Sequence, residues 1–544
     1  MKRRLIILLL CCVAFFANNW VIFPDIMESR NIITAREMVN EGHWIVPTMN
    51  GELRLEKPPL PTWIAAVVEE VIPDSIAAQR AMAGIAATML LLFFFLLAEK
   101  VTRNEQYAFI ASLLLLTCYN IILMGRTASW DIYCHAFMLG AIYFFYSAAI
   151  ARGPQYGRFA LAGVFLGLSF MSKGPVSFYA LLLPFLIAMI LFDCPTMRGK
   201  WKPVLLMILI CLILSSWWYV ILFVFYPNEA QYVIHKESGA WSGHNVRPWF
   251  YYWKFFLETG VWSLLMITTL VITFWKRKIV YREKYLSAMC WMLAALVLLS
   301  LLPEKKSRYL LPMLIPCCYA MAFVICHWIK DRSFRKTDKW FYYINTGLIS
   351  LIVVVLPVLL YLFFVSKGLI PIWLFVLSSV LIFAIAIVMI FSTLRWKPAL
   401  FVYSVVALFA IAELFLMPYV GNLVNNPDFH SVSETRKIHK LDGVPFYYNE
   451  VKGHEDEYVR AIPQLVYEAY RKIRPIDVND ENAVMQALPM ALLSHERVDK
   501  VLPASLLQKV DTVYIGHFDN NRRQKGTHFY SGDYIYDITL IRKK

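Results

Sequence analysis

Residues 341–365 read FYYINTGLISLIVVVLPVLLYLFFV, twenty-five residues without a charge, with Lys339 and Lys367 on either side. At about 1.5 Å per helical residue, such a run is long enough to cross a hydrocarbon layer of about 30 Å. Two comparable runs follow, near 369–393 and 397–418. Toward the N-terminus they recur near 5–23, 77–98, 107–124, 131–150, 158–171, 175–192, 204–226, 257–275, 285–302 and 309–328. The spacing predicts about thirteen spans on the twenty-residue criterion. Between 158–171 and 175–192 the break is short, Lys173-Gly174-Pro175.

Composition agrees. Of 544 residues, 59% are hydrophobic and 17% charged, with a mean hydropathy of +0.54, too little charge to cover a soluble surface of this size. The formal net charge of +15 invites a nucleic-acid reading, but most Lys and Arg fall in short loops between apolar runs. That placement fits the positive-inside rule and anionic headgroups, so no nucleic-acid partner is expected. All ten Cys precede residue 330, nearly all in apolar segments, and outline neither a disulfide framework nor a CxxC site.

Charge orients the spans. With the N-terminus (Lys2, Arg3, Arg4) inside, the inside loops carry Lys100/Arg103, Arg152/Arg158, Arg198/Lys200/Lys202, the 276–284 and 330–339 clusters, and Arg395/Lys397. The short outside loops are poor in cations except at Arg126, Lys173, Lys305, Lys306, Arg308 and Lys367. An odd number of spans puts the C-terminal region outside. The expectation is a polytopic α-helical protein of a bacterial inner membrane, N-terminus cytoplasmic. Residues 1–423 form its membrane domain, including outside loops 24–76 and 227–256, and 424–544 form a small periplasmic α/β domain. In the latter, Val510 to Ile515 and Tyr534 to Ile541 alternate as strands do, while 456–472 and 481–493 read as amphipathic helices.

Long ordered loops are usually functional. The first holds Asp25, Glu28, a helical stretch over 30–40 with Arg36 and Glu37 on a polar face, then His43 to Gly51, and closes with Glu56-Lys57-Pro58-Pro59-Leu60-Pro61. Two prolines after Lys57 stop a helix and hold the preceding backbone extended. The second reads His235-Lys236-Glu237, then Gly243-His244-Asn245-Val246-Arg247-Pro248-Trp249. Charges at a membrane boundary are costly unless a partner or substrate compensates them. Each also has a plainer account: Asp131 as an N-cap, Lys173, Lys306, Arg308 and Tyr309 as interfacial anchors. Trp217-Trp218-Tyr219 and Trp249 to Trp253 fit a prenyl groove or an interfacial aromatic belt equally.

The ordered set Arg36-Glu37-Met38, Trp44-Ile45-Val46-Pro47, Asn50-Gly51 and Glu56-Lys57-Pro58-Pro59-Leu60-Pro61 resembles the first periplasmic loop of the aminoarabinose transferases that modify lipid A. Those enzymes are related to the protein O-mannosyltransferases and share their GT-C membrane fold. Lys173-Gly174-Pro175 and Lys306-Ser307-Arg308-Tyr309, with Leu311-Pro312 after it, extend the resemblance along the membrane part. It implies a glycosyltransferase moving a sugar, such as 4-amino-4-deoxy-L-arabinose, from a polyprenyl-phosphate donor to lipid A or another envelope acceptor. By the same resemblance Glu28 or Asp25 is the acceptor-activating acid; the family's Asp-Glu pair is broken here by Met27. Asp131 is the second acidic residue. Lys57, Arg247, Lys173, Arg308 and Tyr309 face the carrier phosphate, and Glu56 with His244 would ligate a divalent metal (Zn, Mg or Mn). A flippase of polyprenyl-linked sugars and a protein O-mannosyltransferase-like enzyme stay open. The flippase predicts broken helices and paired half-repeats around a midplane site, whereas the charged motifs here gather at one surface.

Overall fold

A computed structural model describes residues 2–243, 245–330, 336–424, 426–449, 462–527 and 530–544. By contact the chain divides into two units: Met1–Val21, Leu55–Ile64 and Ser75–Tyr419, and Ile22–Arg54, Ala65–Asp74 and Val420–Lys544.

The first unit is helical, and a helix occupies each apolar run named above. Among the described residues, eight helices are long and apolar enough to cross a membrane, nine if the bent pair Glu105–Leu116 and Tyr119–Gly125 is one span. The other expected spans are shorter or interrupted: Phe178–Leu182, for example, is a single turn of π-helix ahead of the ten-residue helix Leu183–Phe192. The 73° bend between Leu116 and Tyr119 has a local cause. Thr117 turns its hydroxyl back onto the Leu113 carbonyl and accepts the Trp262 indole N–H at 2.8 Å, so its polar group is satisfied off the helix axis. The core runs through the bundle on aromatic contacts such as Tyr107 with Phe323 and Phe185 with Trp291. Arg126 is buried and braced: it donates to the carbonyls of Ala14 and Ala17 and pairs with Glu413 at 2.7 Å.

The second unit is α/β. A two-stranded hairpin pairs β1 (Thr48–Met49) with β2 (Glu52–Leu53). Asn50 and Gly51 turn it with φ of 57° and 82°, the left-handed pair an Asn-Gly turn supplies. Five further strands, β3 (Phe446–Asn449), β4 (Ile473–Ile476), β5 (Met490–Ser494), β6 (Val510–Asp519) and β7 (Ile535–Lys543), form one sheet in the order β4-β3-β5-β7-β6. The two strands expected from alternation are β6 and β7. The helix expected over 481–493 ends at Ala487, and Leu488-Pro489 gives way to β5, whose five residues are all buried. Of the helix expected over 456–472, Pro463–Ala469 is present, and residues up to 461 lie outside the described part.

Within this unit the first-loop helix Ile26–Glu41 packs on Pro463–Ala469. Arg36 and Glu37, expected on a polar face, are buried at 6% and 5% exposure. The Arg36 guanidinium donates to Glu69 (3.3 Å), Asp74 (2.5 Å) and the Tyr467 carbonyl (2.8 Å), and lies 4.2 Å from the Tyr470 ring centroid. Arg436 donates to the same Asp74 and the same carbonyl. Glu37 accepts from the Thr48 hydroxyl and the Gly51 N–H. The Asn50 amide takes both the N–H and C=O of Ile473, at 2.8 and 2.7 Å. Buried charges need such partners. These motif residues hold the unit together.

Candidate functional site

Asp131 lies in the first turn of the helix Trp130–Ile150, where a carboxylate suits the helix dipole. The N-cap is Ser129, so the capping role open to Asp131 falls elsewhere; its carboxylate takes the Lys173 ammonium instead. Lys173 is the last residue of the helix Tyr156–Lys173. Gly174 ends that helix at φ 71° and ψ −151°, a conformation open to glycine, and Pro175 follows, which fixes Lys173 at the helix end. The two side chains are 3% and 7% exposed.

Three residues just ahead of the helix Leu311–Lys330 complete the cluster. Lys173 Nζ lies 5.0 Å from the Tyr309 ring centroid, and Lys306 Nζ lies 5.8 Å from it. Arg308 is close enough to act on the Asp131 charge, and its Nε is a buried donor with no partner among the described residues. Lys306 pairs with Glu304 at 2.5 Å. Lys305, by contrast, is 3% exposed and donates to the Leu302 carbonyl, a structural use.

The second long loop joins this cluster through its backbone. Val246 and Glu304 form an antiparallel bridge, the Arg247 N–H donates to the Pro303 carbonyl at 3.3 Å, and the Lys305 N–H donates to the Asn245 carbonyl at 3.1 Å. Arg247 itself is exposed. Five of the expected residues, Asp131, Lys173, Arg308, Tyr309 and Arg247, thus belong to one connected set.

Four of the other expected residues lie on the first long loop. Lys57 and Glu56 are half-buried ahead of the helix Leu60–Val71, whose Trp63 stacks on Trp217 with centroids 5.7 Å apart. In the second unit, Asp25 and Glu28 form a reciprocal capping box. The Glu28 N–H donates to the Asp25 carboxylate at 2.8 Å, and the Asp25 N–H to the Glu28 carboxylate at 3.4 Å. Both candidate acids therefore have a helix-capping role. His244 lies outside the described residues. Among the described residues no three His, Cys, Asp or Glu side chains gather as metal ligands do, and Glu56 alone is no metal site. An apolar cleft of about 530 Å³ along the helix Arg282–Leu301, between Leu286 and Leu298, holds none of the candidate residues.

Sequence reasoning missed Tyr252 and Glu304. The signal available was an aromatic run, Trp249 to Trp253, which a membrane belt explains as well.

Residues 56–219 match the family model of dolichyl-phosphate-mannose-protein mannosyltransferases. The chain is 26% identical over 325 residues to undecaprenyl phosphate-alpha-4-amino-4-deoxy-L-arabinose arabinosyl transferase 1 of Pseudomonas fluorescens, covering 58% of this chain and 55% of that one. It is 26% identical over 349 residues to the corresponding transferase of Aeromonas hydrophila, covering 62% and 61%. The chain therefore spans little more than half the length of these relatives. The crystal structure of ArnT from Cupriavidus metallidurans bound to undecaprenyl phosphate superposes with a TM-score of 0.68 at 14% identity, covering 99% of this chain and 97% of that one. The fold is that of a GT-C glycosyltransferase. Within that class, the sequence relatives named above are aminoarabinose transferases, the group its loop motifs resemble.

Proposed function

We propose that this protein transfers a sugar from a polyprenyl-phosphate carrier to an envelope acceptor at the periplasmic surface of the bacterial inner membrane. The observation that carries this reading is the buried Asp131–Lys173 pair, with Tyr309 and Arg308 beside it and the Arg247 loop clipped onto the same segment. Nearby cations of this kind suit a leaving phosphate: they neutralise charge that grows as the glycosidic bond breaks, where little water competes.

The step is a single displacement. An acceptor oxygen attacks the anomeric carbon, the bond from that carbon to the phosphate oxygen breaks, and polyprenyl phosphate leaves with the electron pair. Lys173, Arg308 and Arg247 stabilise that phosphate, and Tyr309 can donate to it. Lys57, and Glu28 or Asp25, enter on the register of the family motif. Lys57 is a further phosphate contact, and the acid takes the proton of a hydroxyl acceptor or orients a phosphate acceptor. Names of the sequence relatives favour 4-amino-4-deoxy-L-arabinose as the sugar, and lipid A is the acceptor the loop resemblance implies. The positive-inside pattern supports a cytoplasmic N-terminus and periplasmic C-terminal domain. Mass spectrometry of envelope glycolipids from cells with and without the gene tests the reading: a pentosyl-type adduct should vanish with the gene, and an unchanged profile would reject it.

A further inference from the structure

Tyr252 sits in the short 3₁₀ turn Trp249–Lys254, five residues after Arg247, and its side chain is among the most buried of that loop, 1% exposed. A phenol that deep needs a hydrogen-bond partner. It finds two on one residue. The Tyr252 hydroxyl accepts the Lys306 N–H at 3.0 Å and donates to the Lys306 carbonyl at 3.3 Å. Beside it, the Tyr251 hydroxyl meets the Ser307 hydroxyl at 3.3 Å.

Residues 302–306 lie outside the helices and strands. Besides the bridge at Glu304, the Leu302 N–H returns to the Leu299 carbonyl, and the Lys306 carbonyl also accepts the Tyr309 N–H at 3.0 Å, while the Lys306 N–H goes to Tyr252. A clamp on both polar groups of residue 306 therefore fixes the direction in which the chain enters the turn Ser307–Leu310. That direction decides where Lys306, Arg308 and Tyr309 point, and the Tyr309 ring is what Lys173 lies against. Burial raises the Tyr252 phenol above its ordinary range, so it keeps the proton that one of the two hydrogen bonds needs.

We infer that Tyr252 is a positioning residue of the transfer site: its hydroxyl locks the Lys306 peptide and so holds Lys306, Arg308 and Tyr309 against the Asp131–Lys173 pair. This rests on the transferase reading above. The ring supplies packing and the hydroxyl supplies aim, so Tyr252→Phe separates the two roles.

The probe is sugar-free polyprenyl phosphate, titrated into full-length protein in detergent, alongside steady-state transfer and thermal melting. Misplacement of phosphate contacts by about 1 Å can cost on the order of 100-fold, so loss of the clamp should weaken carrier binding about fivefold and lower kcat about tenfold. The melting temperature should stay unchanged. Wild-type binding and turnover in Tyr252→Phe would overturn the inference, as would a loss matched by an equivalent fall in melting temperature. Wild-type protein that fails to bind the carrier at all would overturn the transferase reading itself, and the inference with it.

Discussion

Lys173 donates to Asp131 across two helix ends, 42 residues apart in sequence, and both side chains are nearly excluded from solvent. Buried pairs are fragile in a particular way. Removing one partner leaves a stranded charge, while removing both can cost little.

Asp131→Asn and Lys173→Met should therefore each destabilise the protein by about 3–5 kcal/mol, and the double variant by much less than the sum. Thermal melting in detergent checks this. None of the three should transfer sugar. A double variant that recovers stability and also transfers would show that the pair is scaffold only.

Asp25 and Glu28 cap the same helix, so alanine variants at either would confuse capping with chemistry. Amides separate them, since Asn caps well and Gln completes a capping box. Glu28 is 2% exposed, whereas Asp25 is exposed. Glu28→Gln should lower turnover by about 100-fold or more at unchanged stability, and Asp25→Asn only a few-fold. The reverse order would move the role to Asp25.

Lys57→Ala should abolish transfer while leaving membrane insertion and melting intact, because the side chain is half-buried and its proposed duty is toward the carrier phosphate. Unchanged turnover would remove Lys57 from the site.

Glu468, on the helix Pro463–Ala469, is buried, which raises its carboxyl above the ordinary value of 4.5 despite the Ser431 hydroxyl and the Arg522 and Arg436 guanidiniums. The folded state therefore favours the protonated acid. Its contribution to stability is complete below pH 4.5 and is lost as pH rises through the folded value. The wild-type melting temperature, relative to Glu468→Gln, should fall as pH is raised from about 4 to 7. A flat difference would mean that the arginines fully offset the burial.

The fold was legible because hydropathy and loop charge are local signals: the apolar runs are helical, though some, such as 257–275, are broken into short pieces, and β6 and β7 followed from alternation. Met490–Ser494 was misread because a short apolar run beyond a helix looks like more helix, and Pro489 is the one local hint against it. Arg36 and Glu37 read as polar surface because Glu69, Asp74 and Tyr467, which surround Arg36, are remote in sequence. Asp131, Lys173, Arg308, Tyr309 and Arg247 could be named from motif and membrane level and expected at one surface, but the particular contacts that join them, such as Lys173 to Asp131, could not. Tyr252 lies 54 residues from the peptide it clamps, and no spacing rule reaches that far.

The most direct measurement uses protein reconstituted in sealed vesicles with radiolabelled polyprenyl-phosphate aminoarabinose and lipid A. Label should reach lipid A with wild-type protein and not with Asp131→Asn. Label that crosses the bilayer while still attached to its carrier, with none reaching lipid A, would instead make this a flippase.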